Sequence, residues 1–320
     1  MSRTTRAVVI PEPGRVQLQN VSLRTPGADD VVVQTVYTSI SAGTERMLLA
    51  GQMPHPMLQL PVVPGYETVG RVVEVGSAVS PDWLDRWVYV GGAQCYDGIN
   101  AAWGGQAASL FVPAGRLIPL DGVEPRHGVL LALAATARHG IDLVRPTGDD
   151  RVLVLGQGPV GQLAARYAFA AGAWVAVTDR VGSRLARAVA DQRVDVSTET
   201  PAFDKPFNLI VEATGSMAAL ANALPHLAPG GAILLLGYYQ TLDLPYMPLF
   251  LKEARLLTAK EWAPGDLLRC RDDIASGRLD VAPLLTHCLP IADVAEAYDV
   301  ALNEQACLKL VLDWRDGSNL

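Results

Sequence analysis

The chain has 320 residues, a length that makes about two domains. Half of it is hydrophobic and 18% is charged, so it buries large cores and is not a disordered chain. The formal net charge is -7, with no lysine- or arginine-rich run, which argues against nucleic acid as a partner because phosphate contacts need a basic footprint.

Residues 1–10 carry two arginines but no apolar segment behind them, and the turn-forming stretch 11–14 follows at once; no signal peptide is expected. No apolar stretch approaches the length of a membrane span, so the expectation is a cytoplasmic chain without stable membrane insertion. Residues 7–10, 16–21 and 31–38 are short β-branched runs split by Pro-Gly turns, and 68–75 and 87–90 continue the pattern. Gly65, Gly70, Gly76, Gly91 and Gly92 punctuate it. A compact β-rich, barrel-like domain is predicted to about Leu120. From His127 the texture changes. Residues 128–141 read as a helix, 151–155 as a fully apolar strand, 161–171 as a helix and 174–178 as a second strand; 209–213 and 232–236 add two more buried strands. Apolar strands alternating with helices predict a parallel sheet covered on both faces. Two helices near 267–276 and 291–302 and a strand at 308–312 close the chain. Cys95, Cys270, Cys288 and Cys307 are scattered without a C-x-x-C pair, which argues against a disulfide framework or a structural zinc site.

The clearest signal is RVLVLGQGPVGQLAARYAFAAGAWVAVTD, at 151–179. A strand runs into Gly156-x-Gly158-x-x-Gly161, a helix opens there, and the next strand ends in Asp179. Gly156 permits the tight turn, Gly158 lets the backbone approach a pyrophosphate, and Gly161 lets helix pack on strand. The helix that opens at Pro159 and Val160 offers the phosphates its positive dipole end and, from Val160 onward, free N–H groups. Asp179 can accept from both hydroxyls of the adenosine ribose and repels a 2′-phosphate, so NAD is favoured over NADP; Arg180 and Arg184 act against that preference. Thr214 and Gly237 close the turns after the next two strands, where a cofactor cleft would lie, and equally suit ordinary strand-to-helix turns.

The order of parts then resembles the medium-chain dehydrogenase/reductase superfamily: a β-rich domain with VPGYETVGRVVEVG (63–76), the dinucleotide-binding domain, and LLTHCLPIADVAEAYD (284–299) returning to the first domain. Together SISAGTER (39–46), VPGYETVGRVVEVG, LALAATARHG (131–140) and LLLGYYQTLDLPY (234–246) look like the BchC family of 3-hydroxyethyl bacteriochlorophyllide a dehydrogenases. The resemblance implies an α/β fold, a Rossmann doubly wound parallel sheet plus a β-rich GroES-like barrel domain, with segments 1–126, 127–264 and 265–320 and the active site in the cleft between the domains. It implies NAD-dependent oxidation of a C3 1-hydroxyethyl group on a magnesium chlorin to acetyl. It also implies Thr136 as a cofactor contact, and a homodimer through the sheet edge is common in the superfamily. No spacing in the chain reveals a tetrapyrrole.

Zinc-dependent members hold the metal with cysteine, histidine and a further cysteine or acid. The matching positions here read Ser41, Tyr66 and a leucine- and alanine-rich stretch, and Glu67 alone cannot hold zinc. No metal is expected, and a side chain must then take the hydroxyl proton. His139 is one candidate, since imidazole titrates near neutral pH, and equally suits a capping role. Tyr66 can orient substrate. Glu67 suits a relay or a structural ion pair. Thr44 and Glu45 suit a relay or a stabilised turn in the loop that also holds Ser41. On the substrate side, 47–64 is rich in methionine, proline and leucine and contains His55, a candidate ligand for magnesium, and Met57. Trp103, Tyr238 and Tyr239 are candidate stacking residues. Two other readings stand beside this one: an NADPH-dependent, zinc-free quinone or enone reductase, and a pigment carrier that binds NAD without turnover.

Overall fold

The computed structural model describes residues 3–53 and 59–315. The chain divides into two compact units, one formed by Met1–Ala132 with Leu285–Leu320, the other by Leu133–Leu284. Residues 265–284 thus stay with the second unit, and the return to the first begins at Leu285.

The first unit is built mainly on antiparallel pairing, with Leu285–Pro290 added parallel to the last strand. Its largest sheet has seven strands, centred on Asp30–Ser39, which pairs with Thr68–Val75, with Ser109–Pro113 and with the last strand, Lys309–Asp313. Strands Trp87–Val90 and Leu117–Pro119 extend it on one side and Leu285–Pro290 on the other. A three-stranded sheet of Arg3–Val9, Gln17–Leu23 and Tyr96–Asp97 lies in the same unit. Alternation puts Val31, Val33, Val72, Val88, Val90 and Leu110 into one apolar core. Helix Val294–Asn303 closes a second core, with Tyr298 and Ala297 against Leu310 and Leu312. Trp314 anchors the end of the last strand by donating from Nε1 to Thr38 Oγ1 at 2.9 Å.

The second unit holds a six-stranded, all-parallel sheet in the order Gln192–Asp195, Trp174–Asp179, Arg151–Leu155, Phe207–Glu212, Leu227–Leu235, Arg255–Thr258. Numbered along the chain, that is 3-2-1-4-5-6, the doubly wound order whose direction reverses beside the first strand. The second unit is therefore the expected Rossmann sheet. Its outer strands, 192–195 and 255–258, escaped the sequence reading because they are short and carry exposed residues such as Arg193 and Arg255. No helix of the described residues is long and apolar enough to cross a membrane.

Candidate active site

The glycine loop has the geometry the spacing requires. Gly156 has φ +86°, a region L side chains avoid, and a Cβ there would meet Thr214 Cγ2 at 2.7 Å. A Cβ on Gly161 would lie 1.9 Å from the Gly156 carbonyl oxygen, so helix Pro159–Ala170 starts this close to the strand only with glycine. Gly158 differs: no atom of the chain lies within 4 Å of where its Cβ would be. The chain itself does not need that space, and a phosphate at the helix N-terminus does; the loop fits a dinucleotide. Gly158 is the N-cap and offers no side-chain partner, so Val160 and Gly161 present their N–H groups. Asp179 is held in place, its Oδ2 accepting from Gln157 N at 2.6 Å and its Oδ1 from Val181 N at 2.9 Å. Arg180 beside it is exposed.

At the ends of the next strands, Glu212 is fully buried and accepts from Thr214 N at 2.7 Å, Gly215 N at 3.1 Å and the Thr214 hydroxyl. Burial pushes its carboxyl above the ordinary range, and these bonds oppose the shift. A Cβ on Gly237 would meet Tyr239 Oη at 2.5 Å and Glu212 Oε2 at 2.7 Å, so glycine is required there for packing inside this unit. Tyr238 is 58% exposed at the same strand end. Helix Leu131–Val144 carries Thr136 and Gly140 one turn apart, and a Cβ on Gly140 would press on Leu236 and Leu234. His139 faces an acid: its Nδ1 lies 3.6 Å from Oδ2 of Asp266, a buried carboxylate that also accepts from Ala263 N at 2.7 Å and pairs with Arg269.

In the first unit, Ser41, Thr44, Tyr66 and Trp103 come together, with Glu45 and Glu67 buried behind them. The sequence reading placed Ser41, Thr44 and Glu45 in a loop; they instead cap and open helix Ala42–Leu49. The correction has a local cause, since the Ser41 N–H donates to Glu45 Oε1 at 3.0 Å, holding the first turn. The Ser41 hydroxyl does not cap the helix. It lies 2.5 Å from Tyr66 Oη, which also lies 3.3 Å from Thr44 Oγ1. Tyr89 Oη donates to the Tyr66 carbonyl at 2.7 Å, and Trp103 packs edge-on against the Tyr66 ring with centroids 5.2 Å apart. Trp103 reaches that position at φ +68°, a conformation that costs a bulky residue about 1–3 kcal/mol. Burial, reinforced by Glu67, pushes the Tyr66 phenol above its ordinary range, so it stays protonated at neutral pH.

Glu67 points away from solvent into an ion pair with Lys309 and accepts from Ser39 Oγ at 2.5 Å; the two side chains are 0% and 1% exposed. Burial raises the Glu67 carboxyl and Lys309 opposes the rise. Glu45 accepts from Gln106 Nε2 and from Tyr298 Oη. Lys309, Ser39, Gln106, Tyr298 and Asp266 were missed in the sequence. Only Lys309 left a trace there, as a charge inside the apolar run 308–312. His55 and Met57 lie outside the described residues.

Comparison with known proteins ranks next to this geometry. Residues 27–122 match the alcohol dehydrogenase GroES-like domain and residues 159–261 the zinc-binding dehydrogenase domain. The 2-desacetyl-2-hydroxyethyl bacteriochlorophyllide A dehydrogenase of Cereibacter sphaeroides is 37% identical over 97% of this chain and 98% of its own length. The chain belongs to the bacteriochlorophyllide dehydrogenase family. The Rhodobacter capsulatus protein of the same name is 36% identical over 98% of this chain and 99% of its own. Among solved structures, the short chain alcohol dehydrogenase rspB of E. coli CFT073, complexed with NADH, shares the fold at a TM-score of 0.85 and 22% identity, covering 97% of this chain and 99% of that one. This chain is thus a dehydrogenase of the medium-chain superfamily, with its GroES-like and Rossmann parts.

The name of the matching nucleotide domain implies zinc. The residues of this dehydrogenase do not fit that metal. Ser41 and Tyr66 offer neutral hydroxyls, Glu67 is taken by Lys309, and no group of three His, Cys, Asp or Glu side chains among the described residues is arranged to hold an ion.

Proposed function

We propose that this dehydrogenase oxidises the C3 1-hydroxyethyl group of 3-hydroxyethyl bacteriochlorophyllide a to acetyl, with NAD as acceptor and without zinc. The observation that carries the substrate is the identity of 37% and 36%, over nearly the whole chain, to two relatives named for that pigment. Asp179, fixed by two main-chain N–H groups, supports NAD, because a 2′-phosphate would meet a carboxylate with no freedom to turn away. The bound nicotinamide supplies the hydride acceptor. The chain's own residues handle the proton. As hydride leaves the carbinol carbon, the substrate hydroxyl passes its proton to Tyr66 Oη, which passes its own to Thr44 Oγ1. Thr44 is half-buried and leads the proton to water. A phenol held protonated suits this exchange, because Tyr66 never has to persist as an anion. Ser41, Glu45 and Glu67 position it, and Trp103 fixes its ring. His139 is assigned to its ion pair with Asp266, Tyr238 to the pigment face, and Thr136, Thr214 and Gly237 to the cofactor side. A homodimer is also proposed, to be checked by sedimentation velocity.

The test mixes purified protein, NAD and the 3-(1-hydroxyethyl) pigment and follows NADH together with the pigment's red band. Both change in step, in the presence of a chelator, if the reading is correct. An untouched pigment with NAD still bound sinks the substrate assignment and turns attention to a carrier. Arg180, exposed beside Asp179, is the observation that favours NADPH; faster turnover with NADPH and an enone or quinone substrate would establish that alternative.

A further inference from the structure

Glu45 sits in a closed set of hydrogen bonds whose protons can be counted. Tyr298 Oη lies within hydrogen-bond distance of two oxygens, Glu45 Oε2 and Gln106 Oε1, the latter at 3.1 Å. Gln106 Nε2 lies 3.2 and 3.1 Å from the two Glu45 oxygens and 3.4 Å from the Ser39 carbonyl oxygen, and the Ser41 N–H donates to Oε1. All of these side chains are buried, with Glu45 at 1% and Gln106 at 0% exposure. A phenol has one proton to give. If Glu45 is ionised, Tyr298 serves either the carboxylate or the amide oxygen, and the other oxygen pair meets without a proton between. Turning the Gln106 amide over does not help. Its oxygen would then face both oxygens of Glu45, again with no proton unless the acid carries one. With one proton on Glu45 every contact is filled: the acid donates to Tyr298, Tyr298 donates to the Gln106 oxygen, and the Gln106 amide donates back.

We infer that Glu45 is held as a neutral carboxylic acid in the native protein on the acid side of neutral pH, and that its proton closes a ring with Tyr298 and Gln106 that positions Ser41 and, through it, the Tyr66 hydroxyl. The surroundings agree. Glu67 and Tyr66 face Glu45 from the segment before strand Thr68–Val75, Lys309 from the last strand and Tyr298 from helix Val294–Asn303. Arg46 on its own helix turns outward to the Leu302 carbonyl. Burial pushes the Glu45 carboxyl up to about 7, ahead of the opposing bonds from Tyr298 and Ser41. Gly65 makes room for the ring, since a Cβ there would strike Gln106 Cγ at 2.5 Å. Glu45 is a positioning residue. It touches the serine, never the substrate.

Infrared difference spectroscopy of the full chain tests the protonation directly. The wild type at pH 6 minus Glu45→Gln should show the carbonyl stretch of a protonated carboxyl group, fading as pH rises through about 7. Carboxylate bands in that difference at pH 6 overturn the inference. Should Glu45→Gln not fold, Tyr298→Phe serves instead: loss of the acceptor shifts the carboxyl band, and an unmoved band overturns the inference equally. A second readout rests on the alcohol dehydrogenase reading above. Glu45→Ala lowers kcat by about 10- to 100-fold through a misplaced Tyr66, with KM for NAD unmoved, and Glu45→Gln restores most of it, because an amide donates to Tyr298 as the acid does. Equal losses in both variants overturn the positioning role. If no variant and no wild type turns over pigment, the substrate reading fails while the infrared result still decides the proton.

Discussion

Lys309→Met tests the buried ion pair of the first unit directly. Lys309 and Glu67 are buried at 1% and 0% exposure, and among the described residues Glu67 has only the Ser39 hydroxyl as a further donor, its Oε1 having no hydrogen-bond partner. Removing the ammonium leaves a carboxylate that neither water nor a second donor reaches. Breaking one half of a buried pair costs about 3–5 kcal/mol, a large part of the roughly 5–15 kcal/mol that holds a domain together. For a unit of this size each kcal/mol moves Tm by roughly 2–4 °C, so Tm should fall by on the order of 10 °C. The pH dependence fixes the cause. Burial already raises Glu67 above its ordinary value of 4.5, and without Lys309 only the Ser39 hydroxyl opposes the rise. A carboxyl whose folded pKa is raised stabilises the fold when protonated; that stability is full below about 4.5 and is lost as pH climbs toward the folded value. Lys309→Met should therefore come closest to wild type at pH 5 and fall furthest behind at pH 8. Adding Glu67→Leu removes the stranded charge and should recover most of the loss. Urea unfolding of the three proteins at both pH values reads all of this. A loss under about 1 kcal/mol at pH 8, or no recovery in the double variant, would refute a desolvated ion pair.

The remaining expectations separate the roles within each unit. Gly158→Ala adds a Cβ where the chain has nothing, so stability should change by less than about 1 kcal/mol while NAD affinity falls at least tenfold, measured by calorimetric titration. Gly161→Ala forces a Cβ to within 1.9 Å of the Gly156 oxygen and should lose both fold stability and NAD binding in the same assays. Tyr66→Phe should lower kcat about 100-fold or more with KM for NAD unmoved, whereas His139→Gln should cost less than tenfold in steady-state kinetics. Asp179→Ser should narrow the preference for NAD over NADP, read as the ratio of the two kcat/KM values.

The dinucleotide loop was legible in the sequence because every requirement on it is local: turn, close approach, helix start and terminal acid lie within 151–179. The β-rich first part and the parallel sheet were legible for the same reason, since periodicity reports burial one strand at a time. The hydroxyl positions Ser41, Thr44 and Tyr66 could be named from the resemblance, but nothing in their spacing says that they share hydrogen bonds. That was decided when strands 30–39 and 68–75 paired and set Tyr66 beside the start of helix 42–49. The groups behind them were invisible. Lys309 lies 242 positions from Glu67 (309 minus 67), and Tyr298 and Gln106 reach Glu45 from sequence separations of 253 and 61. A buried charge or a shared proton is a property of the assembled surroundings, of how little water is left and which donors arrive. The sequence by itself determined the nucleotide loop and the two kinds of sheet; only the tertiary structure decided which acids are paired and which hydroxyls share hydrogen bonds, because those depend on groups brought together from distant parts of the chain.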